Sequence, residues 1–112
     1  MRLLLVHPSR EDLSLPTILY ALGDPLRLQM LAQLALVKES DEQMACQDFH
    51  VVAAVAKSTL SFHFKVLREA GIVATRVEGT KHINSIRTAD LNARFPGLLN
   101  AVLKAASQPV TS

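Results

Sequence analysis

Residues 57–71 read KSTLSFHFKVLREAG, and their spacing predicts a short helix that ends at a glycine. Leu60, Phe64 and Leu67 recur at steps of four and three residues, so they share one side and predict its buried face. Gly71 can adopt the left-handed conformation that ends many helices. A helix with small polar groups opposite such a face can lie in the major groove of DNA. A solvated amphipathic surface helix would show the same pattern.

The segment after this helix predicts a basic two-stranded hairpin. Residues 72–87 contain a β-branched run, the turn sequence Glu-Gly-Thr and a second apolar run. The hairpin carries Arg76, Lys81, His82 and Arg87. A helix followed directly by a basic hairpin has the order of the recognition helix and wing in a winged helix-turn-helix domain. A structural ribbon that uses its charges to protect a sheet edge is the alternative.

The charge is distributed unevenly along the chain. Residues 57–88 hold six basic and two acidic side chains, a net charge of +4, whereas residues 1–56 hold four basic and seven acidic ones, a net charge of −3. The predicted helix and hairpin therefore carry the positive field that a phosphate-binding face needs. Many domains with one basic half bind no nucleic acid, so the asymmetry alone does not identify a function.

Size and composition further limit the classes of protein to which the chain can belong. The 112 residues are 49% hydrophobic, which predicts one domain with a core of mostly aliphatic side chains. We expect a cytoplasmic protein, because no apolar run is long enough for a membrane span or a secretory signal. Cys46, the single cysteine, is more simply a small core residue than a reactive thiol. The histidines lack metal-ligand spacing and no nucleophile has a base beside it, so we expect no cofactor and no enzyme.

Turn and cap signals divide the first half of the chain. One helix is predicted over residues 14–23 and a second from Asp24 and Pro25, which suit the N-cap and the first helical position. Arg27 is expected to face solvent or the acidic first half. A flexible acidic loop is predicted over residues 37–43. A short helix over 45–52 and a turn over 53–56 would then lead to the recognition helix.

Caps and helix starts are also predicted for the second half. Ala56 has no side chain that can cap, so we expect Ser58 to do so and to shorten the recognition helix by about two residues. After the hairpin, Thr88 or Asp90 is expected to cap a short turn. A last helix is predicted to begin at Pro96.

The first and last helices each have an apolar side that must be buried against other parts of the protein or against a partner. They could complete the core or pair with a second copy in a two-fold interface. The residues expected at that interface are Leu15, Ile18, Leu19, Leu98, Leu99, Val102 and Leu103. We predict a flexible lead-in over residues 1–12, a winged helix-turn-helix domain with its dimerisation helix over 13–107, and a frayed tail over 108–112.

Two motifs resemble the ArsR-type family of winged helix-turn-helix regulators. Residues 21–28, ALGDPLRL, resemble the family's ALADPTRL, and residues 57–71 resemble its recognition helix QSTVSHHLKVLREAG. Residues 76–79 resemble the start of the wing turn, and residues 90–99 resemble the end of a subgroup without an obvious metal site. The resemblance covers about residues 13–104 and implies a dimer that binds operator DNA and releases it when an effector arrives.

The chain departs from this family at the positions of its metal ligands. The family's two sensor cysteines would align with Ala45 and Gln47, with Cys46 between them, and residues 96–106 lack the acid and histidine pairs of the other site. The resemblance therefore implies no metal. Phe62 stands where the family pattern has histidine, and its ring could touch a thymine methyl group.

We therefore predict a sequence-specific DNA-binding transcriptional regulator, most simply a homodimeric repressor, with double-stranded DNA and an unidentified small-molecule effector as partners. The DNA-binding residues expected on the helix are Lys57, Ser58, Thr59, Ser61, Phe62, His63, Lys65 and Arg68. Those expected on the wing are Arg76, Gly79, Thr80, Lys81 and His82. His63 could instead pack behind the helix. A winged-helix protein-interaction module and a thiol sensor acting through Cys46 are the alternatives.

Overall fold

The computed structural model describes residues 5–41 and 56–107. Within them the chain forms helices and a three-stranded sheet, in an order that starts with a 3-10 turn. The elements are the 3-10 turn (Arg10–Asp12), α1 (Leu15–Leu22), α2 (Pro25–Val37), β1 (Glu39–Asp41), α3 (Lys57–Glu69), β2 (Val73–Glu78), β3 (Lys81–Ile86), α4 (Thr88–Arg94) and α5 (Leu98–Ser107). None of these helices is both long and apolar enough to cross a bilayer.

The first two helices begin and end where the cap signals predict. Ser14 occupies the N-cap position of α1 and Gly23 its C-cap position. Asp24 is the N-cap of α2, and its carboxylate accepts a hydrogen bond of 3.0 Å from the backbone N–H of Arg27. Pro25 follows as the first helical residue, where it has no N–H to lose.

The core lies between the helices and one face of the sheet. Leu60, Phe64 and Leu67 of α3 are fully buried, which confirms the predicted inner face of this helix. The residues that pack with Leu67 in the main cluster include Leu13, Ile18, Leu22, Leu31, Leu34, Ile72, Val73, Leu91 and Leu99. Gly71 ends α3 with φ of 84°, and the N–H of Ile72 donates to the carbonyl of Leu67, as the glycine stop predicts.

The predicted hairpin is confirmed. β2 and β3 are antiparallel, from Val73 opposite Ile86 to Glu78 opposite Lys81, and a two-residue loop joins them. Gly79 has φ of 61° whereas Thr80 has no positive φ, the pattern of a type II′ turn, which suits the right-handed twist of a hairpin.

The acidic loop predicted over residues 37–43 is wrong in its described part. Residues Glu39–Asp41 form strand β1, which pairs antiparallel with β3 and gives the sheet the order β1-β3-β2. Backbone groups make this pairing, so polar side chains do not prevent it. The side chain of Glu39 also binds Arg76 on β2, which stabilises the strand from across the sheet.

Both caps predicted for the second half of the chain differ from the structure. α3 begins at Lys57, with Ala56 at the N-cap position and no side-chain cap, because the carbonyl of Ala56 accepts from the N–H groups of Thr59 and Leu60. Neither candidate residue caps α4, whose N-cap position is held by Arg87.

The last helix also starts later than predicted. α5 begins at Leu98 rather than at Pro96, since Gly97 has φ of 85° and cannot belong to a helix. The predicted helix over 45–52, Cys46, and the turn as far as residue 55 lie outside the described residues, as do residues 1–4 and 108–112.

The described part of the predicted lead-in, residues 5–12, is attached to the hairpin. Nε2 of His7 accepts a 3.0 Å hydrogen bond from the backbone N–H of Thr75. The guanidinium of Arg87 donates to the carbonyl of Pro8 at 2.7 Å. The first contact satisfies a backbone N–H at the outer edge of β2. Both contacts hold residues 7 and 8 against the domain, in contrast to the predicted flexible lead-in.

Candidate nucleic-acid interface

Helix α3 presents a polar face to solvent along its whole length. The exposed residues from its first turn to the start of its third are Lys57, Ser58, Thr59, Ser61, Phe62 and Lys65. The opposite face is buried in the core, so packing fixes the direction in which the polar side chains point. Seven of the eight residues predicted to contact DNA from this helix are thus exposed or half-buried, and Arg68 is the half-buried one.

His63 is the exception, because the structure places it behind the helix. Only 9% of the residue is exposed, and its Nδ1 lies 3.0 Å from a guanidinium nitrogen of Arg27. A guanidinium can only donate, so Nδ1 accepts and the neutral ring carries its proton on Nε2. The structure therefore disagrees with the predicted contact between His63 and a base. It agrees with the alternative that His63 packs behind the helix.

Arg27 joins three elements in the interior, whereas the sequence predicts that it faces solvent or the acidic first half. It is 7% exposed, and its Nε donates a 2.6 Å hydrogen bond to the carbonyl of Ala21 at the end of α1. Its guanidinium also lies 5.7 Å from the ring centre of Tyr20. A cation near the C-terminus of a helix is favourable because the last carbonyls carry partial negative charge.

The surroundings of His63 favour the neutral form of its ring. Burial lowers the pKa of its imidazole, and the nearby charge of Arg27 lowers it further, whereas the charge of Asp24 raises it. The carboxyl of Asp24 is itself held below its ordinary pKa, first because it accepts the backbone N–H of Arg27. These residues link the start of α2 to the middle of α3, and they stabilise the orientation of the helix.

The wing exposes a small polar tip. Gly79, Thr80 and Lys81 are exposed at the turn, and His82 is half-buried beside them. These four predicted wing residues lie together, immediately after the end of β2.

Arg76, the fifth predicted wing residue, is held by two carboxylates. Its guanidinium binds Glu39 at 2.6 Å and Glu78 at 2.5 Å. The hydrogen bond to Glu39, followed in size by the one to Glu78, raises the pKa of Arg76. The hydrogen bond from Arg76, together with the charge of Arg76, lowers the pKa of Glu39. Arg76 therefore connects β2 to β1 across the sheet through its ion pair with Glu39, and its guanidinium is already bound within the protein.

The residues predicted for a dimer interface fall into two groups. Ile18 and Leu99 are buried in the core of the single chain, so the interface prediction is wrong for these two. An apolar stripe cannot by itself distinguish a core from an interface. The exposed or half-buried members of the set are Leu15, Leu19, Leu98, Val102 and Leu103. Leu19 and Val102 line one open, largely apolar groove with Leu28 and Ala105.

Within residues 5–41 and 56–107, no three His, Cys, Asp or Glu side chains are grouped so that they could hold a metal ion. The described surface of α3 and the wing instead offers hydroxyl groups, ammonium groups and one aromatic ring. Such groups hydrogen-bond to base edges, bind phosphates and make apolar contacts, respectively.

A core-packed helix with an exposed polar face, followed by a basic β-hairpin, defines a winged helix-turn-helix protein. The family model of the helix-turn-helix domain matches residues 22–76. Over 85 residues the chain is 33% identical to YceK of Bacillus subtilis (strain 168), an uncharacterized HTH-type transcriptional regulator, and the alignment covers 76% of this chain and 82% of that protein. The chain belongs to the helix-turn-helix transcriptional regulators, a class of DNA-binding proteins.

Proposed function

We propose that this protein is a homodimeric repressor of the ArsR type that binds a palindromic operator with α3 and the wing of each subunit. One observation carries the proposal: α3 turns its hydroxyl and ammonium side chains to solvent while Leu60, Phe64 and Leu67 hold it in the core. A major groove admits a helix of this kind, and its base edges offer partners for such side chains.

Helix residues divide into two roles. Lys57, Ser58, Thr59 and Ser61 lie in the first turn and a half, the part of a recognition helix that usually reaches base edges. Lys65 is exposed further along and is assigned to phosphates, together with the half-buried Arg68.

The wing adds contacts to the DNA backbone. Lys81 is exposed at the tip, next to Gly79 and Thr80, which allow a close approach because their side chains are small. His82 lies beside them. We assign this tip to phosphates or the minor groove, where a positive charge is attracted to the narrow groove or to the backbone.

Dimerisation uses the accessible apolar side chains of α1 and α5. Leu15 and Leu19 are exposed on α1, and Leu98, Val102 and Leu103 are half-buried at or near α5. A second copy that covers them would place two α3 helices about one helical turn of DNA apart. The domain would extend over residues 13–107, as predicted from the sequence.

The resemblance to ArsR-type regulators supports a repressor that an effector releases from DNA. The motifs that carry it are residues 21–28 and 57–71, and they coincide with the start of α2 and with α3. No metal is proposed as the effector, because the family's ligand positions hold other residues in this sequence.

Selection of bound duplexes from a random pool, followed by titration of variants, tests the proposal. A recovered palindrome would support two-fold symmetry. Ser61→Ala should weaken binding to the recovered duplex by about 1–3 kcal/mol and change scrambled duplex little, because it removes a base contact. Lys81→Ala should weaken both duplexes and lower the salt slope by about one.

Two outcomes would contradict this assignment. Equal weakening of both duplexes by Ser61→Ala would remove Ser61 from base reading. Binding that shows no dependence on salt, or none to any duplex, would instead favour a winged-helix module that binds another protein.

A further inference from the structure

We propose that Phe62 reads the methyl group of a thymine in each operator half-site and thereby determines sequence preference at that position. The inference rests on the proposed function, since it requires α3 to enter a major groove. The ring is exposed: 57% of Phe62 is accessible, on a helix whose other large hydrophobic side chains are buried or half-buried.

The ring of Phe62 does not contribute to the packing of the core. Leu60, Phe64 and Leu67 already fill the inner side of α3, and none of them is more than 1% exposed. An exposed phenyl ring leaves apolar area in water, so the gain from covering it is available to a binding partner.

The neighbours of Phe62 indicate which partner covers it. Ser58 is one turn earlier and Lys65 one turn later on the same face, and both are exposed. A protein interface centred on this ring would favour further apolar side chains around it. Among the described residues of α3, the exposed neighbours of the ring carry hydroxyl and ammonium groups, whereas Val66 packs against the core. This arrangement fits a major groove, where hydrogen-bonding edges and phosphates surround a single apolar group, the C5 methyl of thymine.

The structure also orients the ring. Phe62 lies edge-to-face against His63, with ring centres 5.5 Å apart and planes inclined by 62°. His63 is in turn hydrogen-bonded to the buried Arg27 at 3.0 Å. An aromatic side chain that rests on a fixed neighbour loses little freedom when it binds, which favours a contact to one base position.

Replacing thymine by deoxyuridine isolates the proposed contact, because it removes the C5 methyl and leaves every hydrogen-bonding group of the base. The probe is the duplex that the wild-type protein recovers from a random pool, with each thymine replaced in turn. Replacing the contacted thymine in one half-site only should weaken binding about fourfold, which is the effect expected for one buried methyl group. Replacing the equivalent thymines of both half-sites should weaken it about fifteenfold.

Phe62→Ala supplies the second arm of the experiment. This variant should bind the thymine duplex more weakly than wild type and should no longer distinguish it from the uracil duplex. Lys65→Ala is the matched control on the same face: it should weaken binding to both duplexes by the same factor and keep the discrimination. Thermal unfolding of each variant checks that the fold is intact, which the exposure of both residues leads us to expect.

The outcomes separate the inference from the proposed function. If Phe62→Ala discriminates thymine from uracil as strongly as wild type, or if no replacement weakens wild-type binding, Phe62 does not read a methyl group, although the protein binds DNA. A recovered half-site without thymine would have the same meaning. Failure to bind any duplex more tightly than a scrambled one would instead overturn the proposed function.

Discussion

Helix α3 and the hairpin β2–β3 both carry positive charge, but they use it differently. On α3, Lys57 and Lys65 are exposed, and no described residue forms an ion pair with either of them. On the hairpin, Arg76 binds two carboxylates, and Arg87, just after β3, binds Asp90. Among the described residues, the two lysines of α3 therefore remain available, whereas the two arginines of the hairpin region hold the fold together.

This difference indicates how binding would be divided between the two regions. A solvated lysine gains the full attraction of a phosphate, and a counterion leaves the DNA. Arg76 would first have to leave Glu39 and Glu78, so its net gain is smaller. We therefore expect α3 to supply most of the affinity and the sequence reading, and the hairpin to contribute mainly through Lys81 at its tip.

The two regions are joined at Gly71, and a substitution at this residue is expected to change the stability of the protein most. A Cβ at this position would lie 2.2 Å from Cδ2 of Leu13 and 3.0 Å from Cγ of Pro8, and φ is 84°. Gly71→Ala should lower the free energy of unfolding by about 2–5 kcal/mol, from backbone strain of about 1–2 kcal/mol plus overpacking of about 1–3 kcal/mol. Urea denaturation measures the change.

Gly79 is the matched control at the tip of the hairpin. It also has a positive φ, 61°, but a Cβ there would meet no atom within 4 Å. Gly79→Ala should therefore cost only the backbone strain, about 1–2 kcal/mol. Equal losses in the two variants would mean that the segment around Leu13 yields easily, and that the joint is less tightly packed than the structure indicates.

The buried contact behind α3 gives a pH-dependent effect. Burial holds the pKa of His63 below its ordinary 6.5, so the unfolded chain takes up a proton here more readily than the folded one. The stabilisation from neutral His63 is fully present above pH 6.5 and is lost as the pH falls through the folded-state pKa. Between those limits the loss is at most about 1.4 kcal/mol per pH unit.

His63→Gln separates this residue from the other groups that titrate. Glutamine retains an acceptor for Arg27 but cannot be protonated in this range. Denaturation at about pH 7.5 and about pH 5.5 should show wild type losing more stability than His63→Gln, with other histidines cancelling in the comparison. Asp24 titrates well below this window because its pKa is lowered from 3.8. Identical losses would mean that His63 is as easily protonated in the fold as outside it.

The sequence predicted those parts of the fold that depend on neighbouring residues. The buried face of α3, the glycine stop and the hairpin with its glycine-containing turn follow from local spacing and local backbone needs, and all three are confirmed. Strand β1 could not be found in this way. It forms because Glu39 meets Ser85 on β3 and the side chain of Arg76, both more than thirty residues away.

The burial of Arg27 has a signal in the sequence. It lies four residues before Leu31 and seven before Leu34, the spacing of one helical face, and both leucines are buried. Its charge alone predicts an exposed side chain, whereas a carbonyl and an imidazole accept its hydrogen bonds in the interior. The candidate site was predictable as a set of exposed residues on α3. The burial of His63 was not, because it depends on a partner 36 residues earlier in the chain.

The smallest expected effect is on the salt dependence of DNA binding. It tests whether the lysines of α3 contact phosphates while Arg76 of the hairpin stays bound to its carboxylates. Lys65→Ala should lower the slope of log Kobs against log salt concentration by about one, since one phosphate contact is lost. Arg76→Gln should change the slope much less, because Glu39 and Glu78 already neutralise this arginine. Fluorescence anisotropy with the recovered duplex, over a series of salt concentrations, measures both slopes.

A third variant determines whether the carboxylates are the reason. Glu39→Gln removes one partner of Arg76 and should make the salt slope steeper than in wild type, because a freed guanidinium can bind a phosphate. If Arg76→Gln instead lowers the slope as much as Lys65→Ala does, Arg76 exchanges its carboxylates for phosphate when DNA binds. The wing would then contribute to affinity on equal terms with the helix, because the energy of its internal ion pairs would be recovered on the DNA.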